Sequence, residues 1–384
     1  MTAKSYSLPG NITVHVFGRT DVGRTREHNE DAFVVADLTS GNATLQPEVR
    51  THALGDRGTL FMVADGMGGA AAGEVASAMA TEIVVQELET RWRQASTSGP
   101  EAFVIALKAA TETANSRIHR YAAEHPENRG MGTTATIAGI IGDTLYLAQV
   151  GDSRAYIVRN GTAIQITKDQ SLMQKLVEAG ELTAEEAEVS ERRNIILQAL
   201  GPEPTVKVDL TQQQVRRGDV LILCSDGLSG QMRSTDIAAV VNAEPDLISV
   251  CKKLIDIANE NGGPDNITVI AARFEGDGLQ PPADDERVGH RVYTSESDSR
   301  ATVRVSVEQM PALAAEIEAE PEPPVLTTAD ILIPTEEIVP VKPPAAPAVA
   351  PAAAPRRVSV GTLRLIFGAI AIGVAAWLLY YFKG

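Results

Sequence analysis

Acidic residues stand at the ends of several apolar, strand-like runs of this sequence. The run LFMVA (60–64) ends on Asp65, which Gly-Met-Gly-Gly follows, and VLILC (220–224) is followed by Ser225 and Asp226. Comparable positions at strand ends or in tight turns are held by Glu30, Asp31, Asp152 and Asp265. A single Asp-Gly pair is usually a turn. Repetition of the pattern along the chain favours a shared chemical role.

Carboxylates arranged in this way predict a site for hard divalent cations. Mg²⁺ and Mn²⁺ prefer carboxylate, carbonyl and water oxygens, and Gly66 carries no side chain that would keep its carbonyl from a cation. The stretch 66–71 also matches the dinucleotide fingerprint G-x-G-x-x-A. That interpretation is disfavoured because Asp65 would repel a pyrophosphate. It also lacks the acid expected about 20 residues later at the end of a second strand.

The elements that must position these acids alternate along the first 274 residues. Strand patterns cover 13–20, 31–36, 60–64, 133–141, 144–150, 154–159, 219–225 and 266–274. Helical patterns cover 72–93 and 102–124, and 236–262 contains two shorter ones. Many strands with few long helices predict two packed sheets flanked by helices. The stretch 139–167 has the pattern of a β-meander, with Asn160-Gly161 as a hairpin turn.

Charge and cysteine content narrow the class of protein. The net charge of −16 argues against nucleic acid as the main partner, because phosphate backbones require basic patches. The two cysteines, Cys224 and Cys251, belong to no CxxC or Cys/His cluster. Their pattern excludes a disulfide framework and a structural zinc site, and it is typical of a reducing compartment.

Three regions follow from composition. Residues 1–274 are predicted to form the folded domain, and 275–360, acidic and then Pro/Ala-rich, a disordered linker. Residues 361–384 contain LIFGAIAIGVAAWLLYYF (365–382), 18 uncharged residues that suit one transmembrane helix. The basic residues Arg356, Arg357 and Arg364 precede this run and Lys383 follows it, so the N-terminal side is expected in the cytoplasm.

Six motifs, in this order, resemble those of one family. They are R-x-x-N-E-D-A (26–32), V-A-D-G-M-G-G (63–69), G-T-T-A-T (132–136), V-G-D-S-R-A-Y (150–156), S-D-G-L (225–228) and G-P-D-N-I-T-V (263–269). Over 13–274 the chain is similar to the PPM or PP2C family of metal-dependent protein serine/threonine phosphatases. The resemblance is strongest to bacterial members that act against Hanks-type kinases.

The resemblance implies an α+β fold, a sandwich of two antiparallel β-sheets with helices on both outer faces. It also implies two Mn²⁺ or Mg²⁺ ions at one end of the sandwich. By motif, Asp65 would bridge both ions, Asp226 and Asp265 would complete one shell, and the Gly66 carbonyl with Glu30 would complete the other. Further roles fall to Asp31, which would hold a metal-bound water, to Asp152 at a possible third ion, and to Arg26, which would bind the substrate phosphate.

These roles imply hydrolysis without a covalent intermediate. A hydroxide bridging two cations can attack phosphorus directly, while the planar fork of Arg26 holds phosphate oxygens. Cys224 lacks the arginine-rich loop of a cysteine phosphatase and is not expected to react. The sequence departs from the family at Met67, where animal members have histidine, so we expect a metal-bound water to protonate the leaving oxygen. Gln170 and Ser190 also stand where relatives often have histidine.

The expected function is therefore a membrane-tethered phosphatase. Its expected partners are phosphorylated proteins, including a serine/threonine kinase, and the membrane itself; the sequence leaves the oligomeric state open. The alternative is a catalytically silent phosphatase-like domain that binds phosphoproteins as a scaffold. Silent relatives usually lack one of the metal-binding aspartates, whereas Asp65, Asp226 and Asp265 are all present here.

Overall fold

The computed structural model describes residues 10–43, 47–68, 72–188, 190, 192–283 and 286–295. All of them lie within the first of two compact units, Met1–Met310. Most of the predicted linker and the whole predicted membrane segment (361–384) fall outside the described residues. Within the described ranges, no helix is both long and apolar enough to cross a membrane.

Two antiparallel sheets form the centre of the molecule. Their strands are β1 (Thr13–Asp21), β2 (Asp31–Asp37), β3 (Thr51–Ala53), β4 (Thr59–Met67), β5 (Gly132–Thr133), β6 (Ala135–Ile141), β7 (Thr144–Val150), β8 (Arg154–Arg159), β9 (Thr162–Gln165), β10 (Asp209–Gln214), β11 (Val220–Cys224) and β12 (Ile267–Glu275). Sheet I has the order β3-β1-β12-β11-β8-β9. Sheet II has the order β10-β7-β6-β4-β2, with β5 paired to β4.

Helices cover the outer faces of both sheets. The helices of the described residues are α1 (Pro47–Arg50), α2 (Ala72–Leu88), α3 (Pro100–Glu124), α4 (Leu172–Glu178), α5 (Ala184–Glu188), α6 (Asp226–Ser229), α7 (Ser234–Ala243) and α8 (Leu247–Glu260). A π-helical turn, Glu89–Arg93, continues α2, and Pro126–Asn128 is a 3₁₀ turn. The long pair α2 and α3 packs on sheet II, whereas α7 and α8 pack on sheet I. The predicted antiparallel sheets and flanking helices are confirmed.

Strand β4 shows why the central strands read as unbroken apolar runs. Its residues Leu60, Met62 and Ala64 pack in the layer between sheet II and its helices. The alternate residues, Phe61 and Val63, pack in the layer between the two sheets. Because successive side chains of a strand point to opposite faces, a strand covered on both faces must be apolar throughout. Such a strand can present a polar group only where it ends.

The predicted β-meander over 139–167 is replaced by two hairpins in different sheets. Strand β7 pairs with β6 in sheet II, and β8 pairs with β9 in sheet I. The turn 151–153 between β7 and β8 thus crosses from one sheet to the other. Turn residues alone indicate that the chain reverses, but they do not indicate which strand becomes the neighbour.

The folded domain extends beyond residue 274, where the sequence predicted a linker to begin. Strand β12 continues to Glu275, and the later segment 286–295 lies along β10. The amide of Gln212 donates to the carbonyl of Arg291 (2.9 Å), and the amide of Tyr293 donates to the carbonyl of Leu210 (2.9 Å). Main-chain pairing of this kind leaves little trace in composition, which explains the early boundary.

Candidate active site

Strands β2 and β4 place two predicted site residues directly opposite each other. The register of this antiparallel pair aligns Asp31 with Asp65. Asp31 is almost fully buried, and one of its carboxylate oxygens, Oδ2, accepts hydrogen bonds from Ser225 Oγ (2.8 Å) and Thr268 Oγ1 (2.7 Å). Thr268 lies in β12 of sheet I and Ser225 directly follows β11 of the same sheet, so the Asp31 side chain joins the sheets at one end of the sandwich.

The same end of sheet I supplies two more acids. Strand β11 ends at Cys224 and is followed by Ser225 and by Asp226, the first residue of α6. Its antiparallel neighbour β12 begins at Ile267, two residues after Asp265. The end of β11 therefore lies beside the start of β12. In an antiparallel pair, the end of one strand lies beside the start of its neighbour. Asp226 and Asp265 therefore come together although they are far apart in sequence.

Asp152 lies in the turn that crosses between the sheets. It is nearly buried, at 7% exposure. Two residues later, Arg154 forms an ion pair with Asp169 (2.7 Å), so this arginine is already engaged by another carboxylate. The backbone of the turn is fixed by Gln149, whose Nε2 donates to the carbonyl of Ser153 (2.8 Å).

Arg26 and Glu30 belong to the loop between β1 and β2. Asn266 holds this loop: its Nδ2 donates to the carbonyls of Val22 and His28 (both 2.9 Å), and its Oδ1 accepts from the amide of Glu30 (2.8 Å). Arg26 Nη2 contacts Asp265 Oδ2 at 2.8 Å, and half of the arginine side chain is exposed. The loop thus presents a guanidinium at the edge of the acidic group.

Gly66 is required by the close approach of α2 to the end of β4. A Cβ at Gly66 would lie 2.3 Å from the carbonyl oxygen of Gly73 and 2.4 Å from that of Glu30. A Cβ at Gly73 would likewise meet the carboxyl carbon of Glu30 at 2.9 Å. Glycine at both positions therefore lets β4, α2 and the Glu30 loop converge.

The acids of this site repel one another and are poorly hydrated. Burial, and then the charges of Asp31 and Asp226, raise the pKa of Asp65 well above its usual range. Burial likewise raises the pKa of Asp31 to about 7, against the hydrogen bonds from Thr268 and Ser225, and that of Asp152 to about 7. The pKa of Asp226 is raised by burial and by Asp265. Burial also raises the pKa of Glu30, which Arg26 partly offsets. These shifts mark a site that favours a positive charge.

Unpaired carboxylate oxygens make the site suitable for cations. Asp31 Oδ1 and Asp152 Oδ1 are buried and have no hydrogen-bond partner among the residues that the structure describes. A buried polar atom without a partner is costly, and a hard cation would satisfy it. No group of three or more acidic, histidine or cysteine side chains converges on one point in the described part of the chain. Carboxylates repel each other unless a cation lies between them. The site therefore suits a metal ion, although its acids do not already converge as a complete set of ligands.

A groove of about 600 Å³ lies beside these residues. Arg26, Asp152, Asp226 and Asp265 are part of its lining, whereas Glu30, Asp31, Asp65 and Gly66 are not. The segment that contains α4 and α5 forms another part of the lining. The groove is thus large enough for a peptide side chain and its neighbours, with acids and a guanidinium at one side.

Sequence reasoning overlooked the residues that orient the acids. Ser225 and Thr268 fix Asp31, Asn266 fixes the Glu30 loop, and Thr134 Oγ1 accepts from the amide of Asp65 (2.9 Å). All four belong to the motifs G-T-T-A-T, S-D-G-L and G-P-D-N-I-T-V. Their presence there was a signal, but their partners depend on pairing between strands far apart in sequence.

Comparison with known proteins shows which family the chain resembles. A family model described as Protein phosphatase 2C matches residues 42–268. The serine/threonine phosphatase stp of Listeria welshimeri is 36% identical over 258 residues, which cover 67% of this chain and 94% of that protein. The serine/threonine protein phosphatase PstP of Mycobacterium tuberculosis is 36% identical over 263 residues, which cover 68% of this chain but 45% of PstP.

Solved structures agree as well. The crystal structure of M. tuberculosis PstP matches with a TM-score of 0.57 and 35% identity, covering 68% of this chain and 99% of that one. The PstP catalytic domain in complex with two manganese ions matches with a TM-score of 0.55 and 34% identity, covering 69% and 99%. The family model spans more than half of the chain, and these relatives share its fold and more than a third of the aligned residues. The chain therefore belongs to the protein phosphatase 2C family and is a protein serine/threonine phosphatase.

Proposed function

We propose that this phosphatase hydrolyses phosphoserine and phosphothreonine in proteins by direct attack of water, with two Mn²⁺ or Mg²⁺ ions held by the acids at the end of the sandwich. The observation that carries the proposal is the pair of buried, unpartnered carboxylate oxygens, Asp31 Oδ1 and Asp152 Oδ1. They lie among further acids whose pKa values are raised by burial and by one another. The family is metal-dependent, and PstP has been solved with two manganese ions.

The proposal keeps the ligand assignment predicted from the motifs. Asp65, Asp226, Asp265, Glu30 and the Gly66 carbonyl would hold two ions, and Asp152 would contribute to a third. Bound there, the ions would supply a nucleophilic hydroxide near neutral pH and offset the charge of the phosphoryl oxygens.

The side chains of the chain itself bind and orient the reactants. Arg26, half exposed beside the groove, offers two N–H groups to phosphate oxygens. Asp31, fixed through Oδ2 by two hydroxyls, keeps Oδ1 available to accept a hydrogen bond from water. In the reaction, the water oxygen loses a proton and bonds to phosphorus, the bond between phosphorus and the Ser or Thr oxygen breaks, and that oxygen takes up a proton. Met67 has no proton to give, so we expect a water molecule at the site to supply it.

No cysteine serves as the nucleophile. Cys224 is fully buried, and burial raises the pKa of its thiol to about 12, so it is not ionised near neutral pH. Cys251 is also buried, and burial raises its pKa to about 12.

Substrate and location follow the sequence predictions. We propose that the substrates include a bacterial serine/threonine kinase and its targets. We also propose that residues 361–384 anchor the chain in the cytoplasmic membrane with the phosphatase domain in the cytoplasm, which would raise its concentration near membrane-bound kinases. Membrane fractionation of the full chain and of a chain ending at residue 360 tests the anchor. Equal amounts of both in the soluble fraction would exclude it.

The central test is hydrolysis of a phosphothreonine peptide by the full chain, with and without Mn²⁺. We expect turnover that requires Mn²⁺ and that falls by at least about 1,000-fold in Asp226→Asn. The matched control is Asp256→Asn, which removes an exposed acid of α8. A folded chain with no turnover at any Mn²⁺ concentration would instead support the alternative, a silent domain that binds phosphoproteins.

A further inference from the structure

The turn that carries Asp152 is held by two buried glutamine side chains, those of Gln149 and Gln170, and we propose that Gln170 is a positioning residue for the active site. The inference rests on the proposed function, in which Asp152 contributes to cation binding. Gln170 lies between β9 and α4, is 7% exposed, and contacts the residue directly before Asp152.

Gln170 and Gly151 are joined by two hydrogen bonds. The side-chain oxygen Oε1 of Gln170 accepts from the amide of Gly151 (3.0 Å). The amide of Gln170 donates to the carbonyl of Gly151 (2.9 Å). Together they fix both main-chain polar groups of Gly151, the N–H and the C=O, and thereby the direction in which the chain enters Asp152.

The backbone must do this positioning because the Asp152 side chain has little else to hold it. Its Oδ1 is buried and has no hydrogen-bond partner within the described ranges of the chain. Gly151 has a φ of +99°, and a Cβ there would meet Thr134 at 2.6 Å, so the turn adopts a conformation that other residues disfavour. A turn with an unpaired acid depends on neighbouring hydrogen bonds for its geometry.

Asp209, the first residue of β10, decides which way the Gln170 amide points. Gln170 Nε2 donates to Asp209 Oδ2 (2.9 Å) and to the carbonyl of Lys207 (3.2 Å). Both are acceptors, so the NH₂ group must face them and Oε1 must face the N–H of Gly151. A side chain that replaces Gln170 therefore needs an acceptor at one end and a donor at the other.

This requirement gives a reciprocal test in the full chain. Gln170→Leu removes the side-chain hydrogen bonds to Gly151 and to Asp209 but keeps the main-chain bond to Gly151. Gln170→Glu keeps the acceptor for Gly151 but places a carboxylate against Asp209. In the double variant Gln170→Glu/Asp209→Asn, the donor and the acceptor of the second bond are exchanged, and the acceptor for Gly151 is kept. The matched control is Gln213→Leu, which removes another buried glutamine of the β10 region, one that bonds the carbonyl of Gln214 and the amide of Gly289.

The first readout is amide hydrogen exchange of Gly151 by NMR, which needs neither substrate nor metal. We expect exchange to accelerate at least about tenfold in Gln170→Leu and to stay unchanged in Gln213→Leu. The second readout is steady-state hydrolysis of a phosphothreonine peptide with Mn²⁺. We expect kcat to fall about 10- to 100-fold in Gln170→Leu and in Gln170→Glu, with KM nearly unchanged, and the double variant to recover most of kcat.

The proposal is overturned if Gly151 exchange does not respond to Gln170→Leu, if Gln213→Leu lowers kcat as much as Gln170→Leu does, or if the double variant is no more active than Gln170→Glu. Should Gln170→Leu not fold, the comparison of Gln170→Glu with the double variant decides. An inactive wild-type chain would count against the proposed function, whereas Gly151 exchange would still report whether Gln170 holds the turn.

Discussion

Two groups of buried charges lie at opposite ends of strands β8 and β11 and differ in how they are balanced. At one end, beyond the start of β8 and the end of β11, are Asp152 and Asp226. At the other end, Arg159 closes β8 and Asp219 precedes β11. Arg159 Nη2 lies 2.6 Å from Asp219 Oδ2, and the two side chains are 5% and 1% exposed. Each carboxylate oxygen of Asp219 accepts from this guanidinium.

The difference separates acids that stabilise the fold from acids that serve the site. Asp219 gains a fixed positive partner, and Glu286 completes the group by contacting Arg159 and Arg216. The acids of the active site instead lie close to one another. Arg26 pairs with Asp265, but among the described residues Asp31 Oδ1 and Asp152 Oδ1 have no hydrogen-bond partner. Buried charge without a partner opposes folding. An end of the sandwich that carries such charge is therefore best explained by a cation that binds there.

The largest effect should come from Asp65→Asn. We expect hydrolysis to fall by at least about 1,000-fold, because the predicted bridging ligand is lost. Without metal, the melting temperature should stay equal or rise, because one of several repelling carboxylates has been neutralised. Thermal unfolding in EDTA, beside Mn²⁺-dependent activity, measures both. A marked loss of stability in the absence of metal would mean that Asp65 stabilises the fold, as Asp219 does.

The opposite outcome is expected for Asp219→Asn. Since Arg159 would keep a buried charge with a weakened partner, the free energy of unfolding should fall by about 3 kcal/mol. Activity per folded molecule should be unchanged, because the residue lies at the far end of the sheet. Urea unfolding measures the loss, and the pair Arg159→Met/Asp219→Leu, which removes both charges, should recover much of it. Loss of activity without loss of stability would contradict the structural role assigned to Asp219.

The pH dependence of stability should also reveal the raised pKa values at the active-site end. The folded-state pKa of Asp31 and of Asp152 is raised to about 7, above the value of about 3.9 in an unfolded chain. The folded protein therefore holds protons that the unfolded chain releases. In EDTA, their contribution to the free energy of unfolding should decrease as pH rises from about 4 to about 7.

Mn²⁺ should replace these protons, so the stabilisation that it confers should increase over the same pH range. Urea unfolding at several pH values, with EDTA or Mn²⁺, measures both trends. The double variant Asp31→Asn/Asp152→Asn should show a flatter profile in EDTA. A wild-type profile parallel to that of the double variant would contradict the raised pKa values.

The sequence predicted the site best where a single strand has a recognisable apolar pattern. The apolar run before Asp65 and the run before Asp226 marked both a buried strand and the residue at its end. That the acids would lie together was inferred from repetition and from the resemblance to a family. The pairing that achieves it, Asp31 opposite Asp65 with Ser225 reaching across from the other sheet, depends on register between distant segments.

The sequence was least informative where the structure depends on main-chain contacts or on ion pairs between residues far apart in sequence. Strand β10, DLTQQQ, is too polar to read as a strand, and it is held by pairing with β7 and with the segment 286–295. Arg159, Asp219 and Glu286 are widely separated in sequence, so nothing in their local patterns predicts that they meet. Both features arise only once the two sheets have formed.

The smallest change in the free energy of unfolding should come from Glu286→Gln. This variant tests whether Glu286 belongs to the charge-balanced end of the domain. Glu286 accepts hydrogen bonds from Arg216, which lower the pKa of its carboxyl group, and it also contacts Arg159. Because Asp219 remains to balance Arg159, we expect a loss of only about 1 kcal/mol in the free energy of unfolding at pH 7. Lys252→Ala, which removes the exposed pair with Asp256, is the matched control and should cost about 0.5 kcal/mol or less. Equal effects of the two variants would mean that Glu286 acts as a surface charge. A distinct loss at Glu286 would place residues beyond 274 within the charge-balanced end of the domain.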